Sequence, residues 1–293
     1  MPQVWVQVVN QPTVISTFAG CGGSSLGYKL AGFKELLAVE WDDNAVETFK
    51  LNFPDVPVYH GDIAALSGDE CLRLAGIHKG ELDVFDGSPP CQGFSTAGKR
   101  KFDDPRNSLF NEYARLLTEL QPRVFVFENV TGMVKGYMKQ AYLQVIKTLR
   151  ECGYKAKGEV MNAMYYNVPQ SRERVIIIGV REDLGIEPSH PKPQTKPVGC
   201  VRLDFKTSNY SDARYGDTIE TEGRPITTIT KIGRKFWNRT EEFGPKSYSS
   251  AASFSSEYKW VGNLQDIKAR IGNSVPPNLM LAIATHIREK LLA

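Results

Sequence analysis

Histidine is scarce in this 293-residue chain and cysteine is unpaired: four histidines and five cysteines are scattered along it, with no CxxC spacing. A His/Cys metal cluster therefore lacks donors at a workable spacing, and an odd number of dispersed thiols suits a reducing compartment better than a disulfide framework. No apolar run is long enough to span a bilayer, and the first residues lack the charged-then-apolar pattern of a secretory signal. We expect no metal and no membrane. A large excess of one charge is also missing. The net charge of +3 permits a nucleic-acid partner without demanding one, because a small global excess can conceal a basic groove. With 41% hydrophobic and 24% charged residues the chain is not disordered, and its length allows one large domain or a large and a small one.

Short apolar runs alternate with helical stretches in the first part of the chain. Strands are expected over 12–18, 35–40, 81–86, 123–129 and 174–180, and helices over 24–32, 44–53 and 141–152. This alternation predicts a doubly wound, Rossmann-like α/β sheet, whose ligands lie beyond the C-terminal strand ends. After Arg181 the sequence becomes proline-rich, then polar, aromatic-dotted and weakly periodic. Residues 182–263 are therefore expected to form a smaller irregular domain, with 1–181 and 264–293 making the α/β body. Helical periodicity returns over 278–293. Residues 1–12 have no assigned role.

"FAGCGG", 18–23, follows the first strand and opens the first helix. Glycines there let backbone approach a ligand, and a helix N-terminus favours anionic groups. Gly20 and Gly22 fit the dinucleotide fingerprint, but its third glycine is replaced by Ser25, which points to a nucleoside cofactor without pyrophosphate. Glu40 ends the second strand, where such folds place an acid on ribose hydroxyls; Trp41 could stack on a purine, and Asp62 could accept from its amino group. Taken singly, each has a plainer explanation as a turn, a solvated acid or a packing aromatic.

"DVFDGSPPCQGFS", 83–95, holds Cys91 behind two prolines at the end of a strand. The prolines fix φ and aim the residue behind them, and a thiol becomes a useful nucleophile as thiolate. A buried inert cysteine is the plainer alternative, one that describes Cys71 and Cys152 better. Glu128 ends another strand and could work as a general acid. Arg172 and Arg174 in "QSRER" alternate along a strand start, so both guanidiniums could face Glu128 or a ligand oxygen. The run 93–108 is Gly/Ser-rich and contains Lys99 and Arg106, as a basic loop closing over a polyanion would, although a merely solvated loop reads the same way.

Together these residues resemble the cytosine-C5 DNA methyltransferase family of bacterial and phage restriction-modification systems. "FAGCGG" resembles its cofactor motif, "PPCQGFS" its nucleophile motif, "ENV" its acid motif, "QSRER" its arginine motif, and "GNSVPP", 272–277, its C-terminal cofactor-side motif. The resemblance covers 13–181 and 258–293 in family order. It implies S-adenosylmethionine as methyl donor and double-stranded DNA between a large α/β domain and a small target-recognition domain. It also implies a monomer, a cognate restriction endonuclease as further partner, and a cytoplasmic, nucleoid-associated location. By position, Cys91 would attack C6 of a flipped cytosine, Glu128 would hold N3 and N4, and Arg172 would help at O2 with Arg174 in support. Phe18, Gly20, Cys21, Gly22, Gly23, Glu40, Trp41, Asp62, Ile63, Pro89, Leu109, Asn273 and Ser274 match cofactor positions; Ser95 and Thr228 resemble DNA-side positions, which Lys99 and Arg106 of the basic run would join. The segment 244–258 departs from the family pattern, whose motif arginine and acid are missing at their usual places. Two alternatives stay open: methylation of tRNA with the same constellation, against which Ser95 stands where that branch carries threonine, and a non-catalytic DNA-binding relative.

Overall fold

The computed structural model describes residues 11–90, 108–135, 139–193, 205–208, 218–220, 225–231, 235–238 and 241–293. Its centre is a seven-stranded mixed sheet. The first five strands are β1 (Thr13–Thr17), β2 (Lys34–Glu40), β3 (Val58–His60), β4 (Val84–Gly87) and β5 (Val124–Val130). β6 (Tyr154–Asn162), the two-residue β7 (Gln170–Ser171) and β8 (Glu173–Arg181) follow. The order is β3-β2-β1-β4-β5-β8-β6, with β8 antiparallel to both its neighbours and β1 to β5 parallel. The order reverses between β1 and β4, which makes that the switch point where such sheets bind ligands.

Five helices accompany the first strands: α1 (Gly23–Leu30), α2 (Asp43–Asn52), α3 (Gly68–Ala75), α4 (Ser108–Leu120) and α5 (Lys139–Glu151). Successive residues of a strand face opposite ways, and β4 and β5 use both faces. Phe85, Phe125 and Phe127 pack with Tyr113, Leu117 and Leu149 of α4 and α5 on one side. Val84, Val124 and Val126 pack on the other with Tyr28 of α1 and with Leu279 and Ile283 near the C-terminus. The expected doubly wound architecture is thus present.

The later part of the chain divides in two. β9 (Phe205–Ser208), β10 (Thr218–Glu220), β12 (Lys235–Asn238) and β13 (Glu241–Glu242) form an antiparallel sheet of their own, while β11 (Ile226–Thr227) pairs with β7. α6 (Pro245–Ala251), α7 (Leu264–Asn273) and α8 (Pro277–His286, continued by a π turn over Ile287–Leu291) complete the chain. Phe243, Tyr248, Phe254 and Tyr258 are buried with Phe49 and Phe53 of α2 and with Ala19 and Cys21. This packing joins the buried residues of 243–258, together with Ile226 and Ile229, to the α/β body. Within 244–258, Tyr248, Ala251, Ala252, Phe254 and Tyr258 are buried in this core.

A pair of acids lies behind the switch point, Asp86 buried and Glu35 half-buried with its Oε2 enclosed. Asp86 of β4 accepts from the Tyr28 hydroxyl at 3.3 Å, and Glu35 of β2 accepts from Ser25 Oγ at 2.9 Å. Burial pushes Glu35 up to about 7; burial and then the Glu35 charge push Asp86 up to about 8. The native state therefore holds protons that the unfolded chain has released, and stability falls as pH rises through these values. The clean window lies between about pH 7 and pH 8. Burial lowers His190 and His286 below the ordinary imidazole value, so they titrate beneath this window, and burial raises Cys21, Cys71 and Cys152, which titrate above it. We expect the urea-unfolding free energy to fall by about 1 kcal/mol across that window. Asp86→Asn keeps an acceptor for Tyr28 and should remove most of the slope; an unchanged slope in the variant would exclude Asp86 as its source.

Candidate active site

The glycine turn is shaped by three residues of positive φ: Phe18 (55°), Gly20 (56°) and Gly22 (88°). At Gly22 a Cβ would lie 2.5 Å from Phe53 Cε2 and 2.8 Å from the Tyr258 hydroxyl, so glycine is required by space as well as by φ. A Cβ on Gly23 would lie 2.3 Å from the Val275 carbonyl, which shows how tightly the turn packs on the segment after α7. α1 begins without a side-chain cap, which leaves its positive end available to a ligand carboxylate.

Glu40 organises this edge. One carboxylate oxygen accepts from the Gly20 amide at 2.7 Å, and the other accepts from Trp41 and Asp42 at 2.9 and 3.0 Å. A carboxylate has about four acceptor positions, so about one remains for a hydroxyl. Trp41, the next residue, is 76% exposed although it is a large aromatic. Asp62 is exposed and caps Ala64 with one oxygen at 2.9 Å, followed by the buried Ile63. Asn273 is exposed at the end of α7, and Ser274 Oγ donates to the Ile271 carbonyl at 2.9 Å. Leu109 packs half-buried at the start of α4. Cys21 is buried and burial pushes its thiol up to about 12, so its place here is packing. A free hydroxyl-binding position, an open aromatic face and an uncapped helix start fit an amino-acid-bearing nucleoside.

The second half of the site lies where β4 and β5 end. Asn129 Nδ2 donates to the Pro89 carbonyl at 3.1 Å, in a buried contact that ties the Pro-Pro turn to the β5 end. Glu128 is 8% exposed, and its carboxylate meets Arg174 Nε at 2.8 Å. Cys91 follows Pro90 directly, but it lies outside the described residues, as do Ser95, Lys99 and Arg106.

The two arginines part company. Arg172 is 2% exposed, and its guanidinium donates to the carbonyls of Ile229, Gly272 and Ser274 at 3.0, 2.9 and 2.9 Å. Burial lowers its pKa to about 9, with Arg174 acting the same way and Glu128 against them, so it remains charged at pH 7. Three backbone acceptors thus hold the two terminal nitrogens of its fork, while its buried Nε has no hydrogen-bond partner among the described residues. Arg174 is the arginine beside the acid. Thr228 Oγ1 donates to the Ser171 carbonyl at 2.7 Å, next to the β7–β11 pair. Asn129, although it stands within the acid motif, is a positioning residue that sequence reasoning did not single out; its adjacency to Glu128 was the available signal.

A family model described as C-5 cytosine-specific DNA methylase matches residues 12–200. The type II methyltransferase M1.HphI of Haemophilus parahaemolyticus is 42% identical over 93% of this chain and 85% of its own length. M.XorII of Xanthomonas oryzae pv. oryzae is 42% identical over 83% of this chain, which spans only about half, 53%, of that protein. Among solved structures, a candidate DNA modification methyltransferase encoded within an E. coli prophage superposes with a TM-score of 0.78 at 21% identity, covering 97% of this chain and all of that one. That likeness bears on the fold, and the sequence matches bear on descent. With the family model spanning the glycine turn, the acid and both arginines, and a relative 42% identical along nearly the whole chain, this protein belongs to the C-5 cytosine-specific DNA methylase family.

Proposed function

We propose that the chain transfers a methyl group from S-adenosylmethionine to C5 of a cytosine flipped out of duplex DNA, with Cys91 as nucleophile. The observation that carries this is the Asn129–Pro89 hydrogen bond, which sets the turn preceding Cys91 against the strand end bearing Glu128. Flipping is needed because a thiol on a sheet edge cannot reach a stacked base. The Cys91 thiolate adds to C6, and Glu128, held by Arg174 and acting as the acid, hands its proton to N3 and accepts from N4, so the charge moving onto the ring is neutralised. Bound S-adenosylmethionine supplies an electrophilic methyl group, which C5 takes. Loss of the C5 proton then expels Cys91 and restores the ring. The glycine turn, Glu40, Trp41 and Asp62 would hold the donor; Thr228 and the basic run with Ser95, Lys99 and Arg106 would meet DNA.

DNA duplex containing 5-fluorocytosine tests the nucleophile, because fluorine cannot leave as the proton does and the adduct is trapped. Wild-type protein with S-adenosylmethionine should form a denaturation-resistant complex, and Cys91→Ser should bind the duplex without forming it. An adduct that survives the substitution removes Cys91 from this role. Offering tRNA beside DNA decides the substrate: label entering tRNA alone would overturn the DNA reading.

A further inference from the structure

We infer that Arg270 is the positioning residue of the donor site, setting the pose of Trp41; the inference rests on the methyl-donor reading above. Arg270 lies in the last turn of α7, far in sequence from the loop it holds. Its Nη2 meets Asp42 Oδ1 at 2.8 Å, and its Nε donates to Asn44 Oδ1 at 3.2 Å. Asp42 is the N-cap of α2, and the same oxygen accepts from the Ala45 amide at 2.9 Å. Glu40 grips the Trp41 loop from one side through the Trp41 and Asp42 amides, and Arg270 grips it from the other. The main chain of Arg270 extends the brace: its carbonyl faces the Cys21 thiol at 3.8 Å and accepts from the Ser274 amide at 3.0 Å.

One residue thus touches all three segments that would surround the donor: the glycine turn, the Trp41 loop and the segment of Asn273 and Ser274. Trp41 needs such a brace. With Trp41 76% exposed, little packing fixes its rotamer, and its backbone is set by the residues around it. A pose fixed beforehand lowers the ordering cost when a purine stacks on it. The guanidinium is only 18% exposed and Asp42 35%, so the pair is partly shielded from solvent and less screened than a surface bridge.

The test is calorimetric titration with S-adenosylhomocysteine, a readout independent of turnover, on Arg270→Gln and Arg270→Lys, each alone and with Trp41→Ala. Arg270→Gln should weaken binding about tenfold, as expected for loss of a charge-assisted pair. Arg270→Lys should recover part of that by keeping the charge near Asp42. In the Trp41→Ala background the Arg270→Gln change should cost less than about twofold, because there is no indole left to position. A tenfold loss that persists without Trp41, or unchanged binding by Arg270→Gln, overturns the inference while the methyl-donor reading stands. A wild-type chain that binds no donor overturns both. Thermal unfolding of each variant guards against a variant that fails to fold, and Arg270→Lys then carries the comparison.

Discussion

Replacing Glu128 by glutamine should lower the methyl-transfer rate by about two to four orders of magnitude while leaving DNA affinity within a few-fold of wild type. The substitution is close to isosteric. A glutamine oxygen can still accept from Arg174 Nε, now at 2.8 Å from the carboxylate, so the burial and packing of the β5 end should persist. What the amide cannot do is carry a negative charge or hand a proton to a ring nitrogen, and the addition of a thiolate to C6 puts its charge on that ring. The loss therefore belongs to the step and not to the complex. Single-turnover transfer of labelled methyl groups into duplex DNA measures it, with duplex binding followed separately by anisotropy. A variant within about threefold of wild type would mean that Glu128 is a structural partner of Arg174 and no more.

The expected strands at 35–40, 123–129 and 174–180 were legible because each holds a short continuous apolar run, β-branched or aromatic in the last two, and each is present. β3 and β6 were not. β3 has three residues, too few to show any period, and β6 lies at the sheet edge with Lys155, Lys157 and Glu159 along it, so no apolar run marks it. α4 is different: Phe110, Tyr113, Leu117 and Leu120 stand at helical spacing, and the loop reading of 93–108 left that signal unused. Within the site, glycine turn, acid and strand-end glutamate declare themselves by lying at strand ends. The brace from Arg270 to Asp42 does not, since it joins residues 228 positions apart and no local pattern encodes the contact. The fates of Arg172 and Arg174 were equally hidden. Alternation gives both the same side of the strand, but which guanidinium meets the acid depends on carbonyls presented by α7 and the Thr228 segment.

Those carbonyls make Arg172 the residue whose loss should cost the fold most. Its three bonds tie the start of β8 to the Ile229 carbonyl, beside Thr228, and to Gly272 and Ser274 on the donor side. Arg172→Met keeps much of the aliphatic stem but leaves buried or partly buried acceptors without their donors. Each neutral carbonyl left unpaired costs about 1–3 kcal/mol, offset in part by the buried charge that leaves with the arginine, for a net loss of about 3–5 kcal/mol. At this chain length that corresponds to a fall of roughly 6–15 °C in the unfolding midpoint. Lysine offers no remedy, because a single ammonium cannot span three carbonyls on two segments as a planar fork does. The two possible roles of Arg172 separate by measurement. As a brace, Arg172→Met should lower the denaturation midpoint strongly, and osmolyte or low temperature should restore much of the methyl transfer along with the fold. As a contact to the base, it would leave the midpoint within about 0.5 kcal/mol of wild type and abolish turnover whatever the stabiliser. Unchanged stability with lost turnover would return Arg172 to the substrate and leave the three carbonyl bonds as incidental.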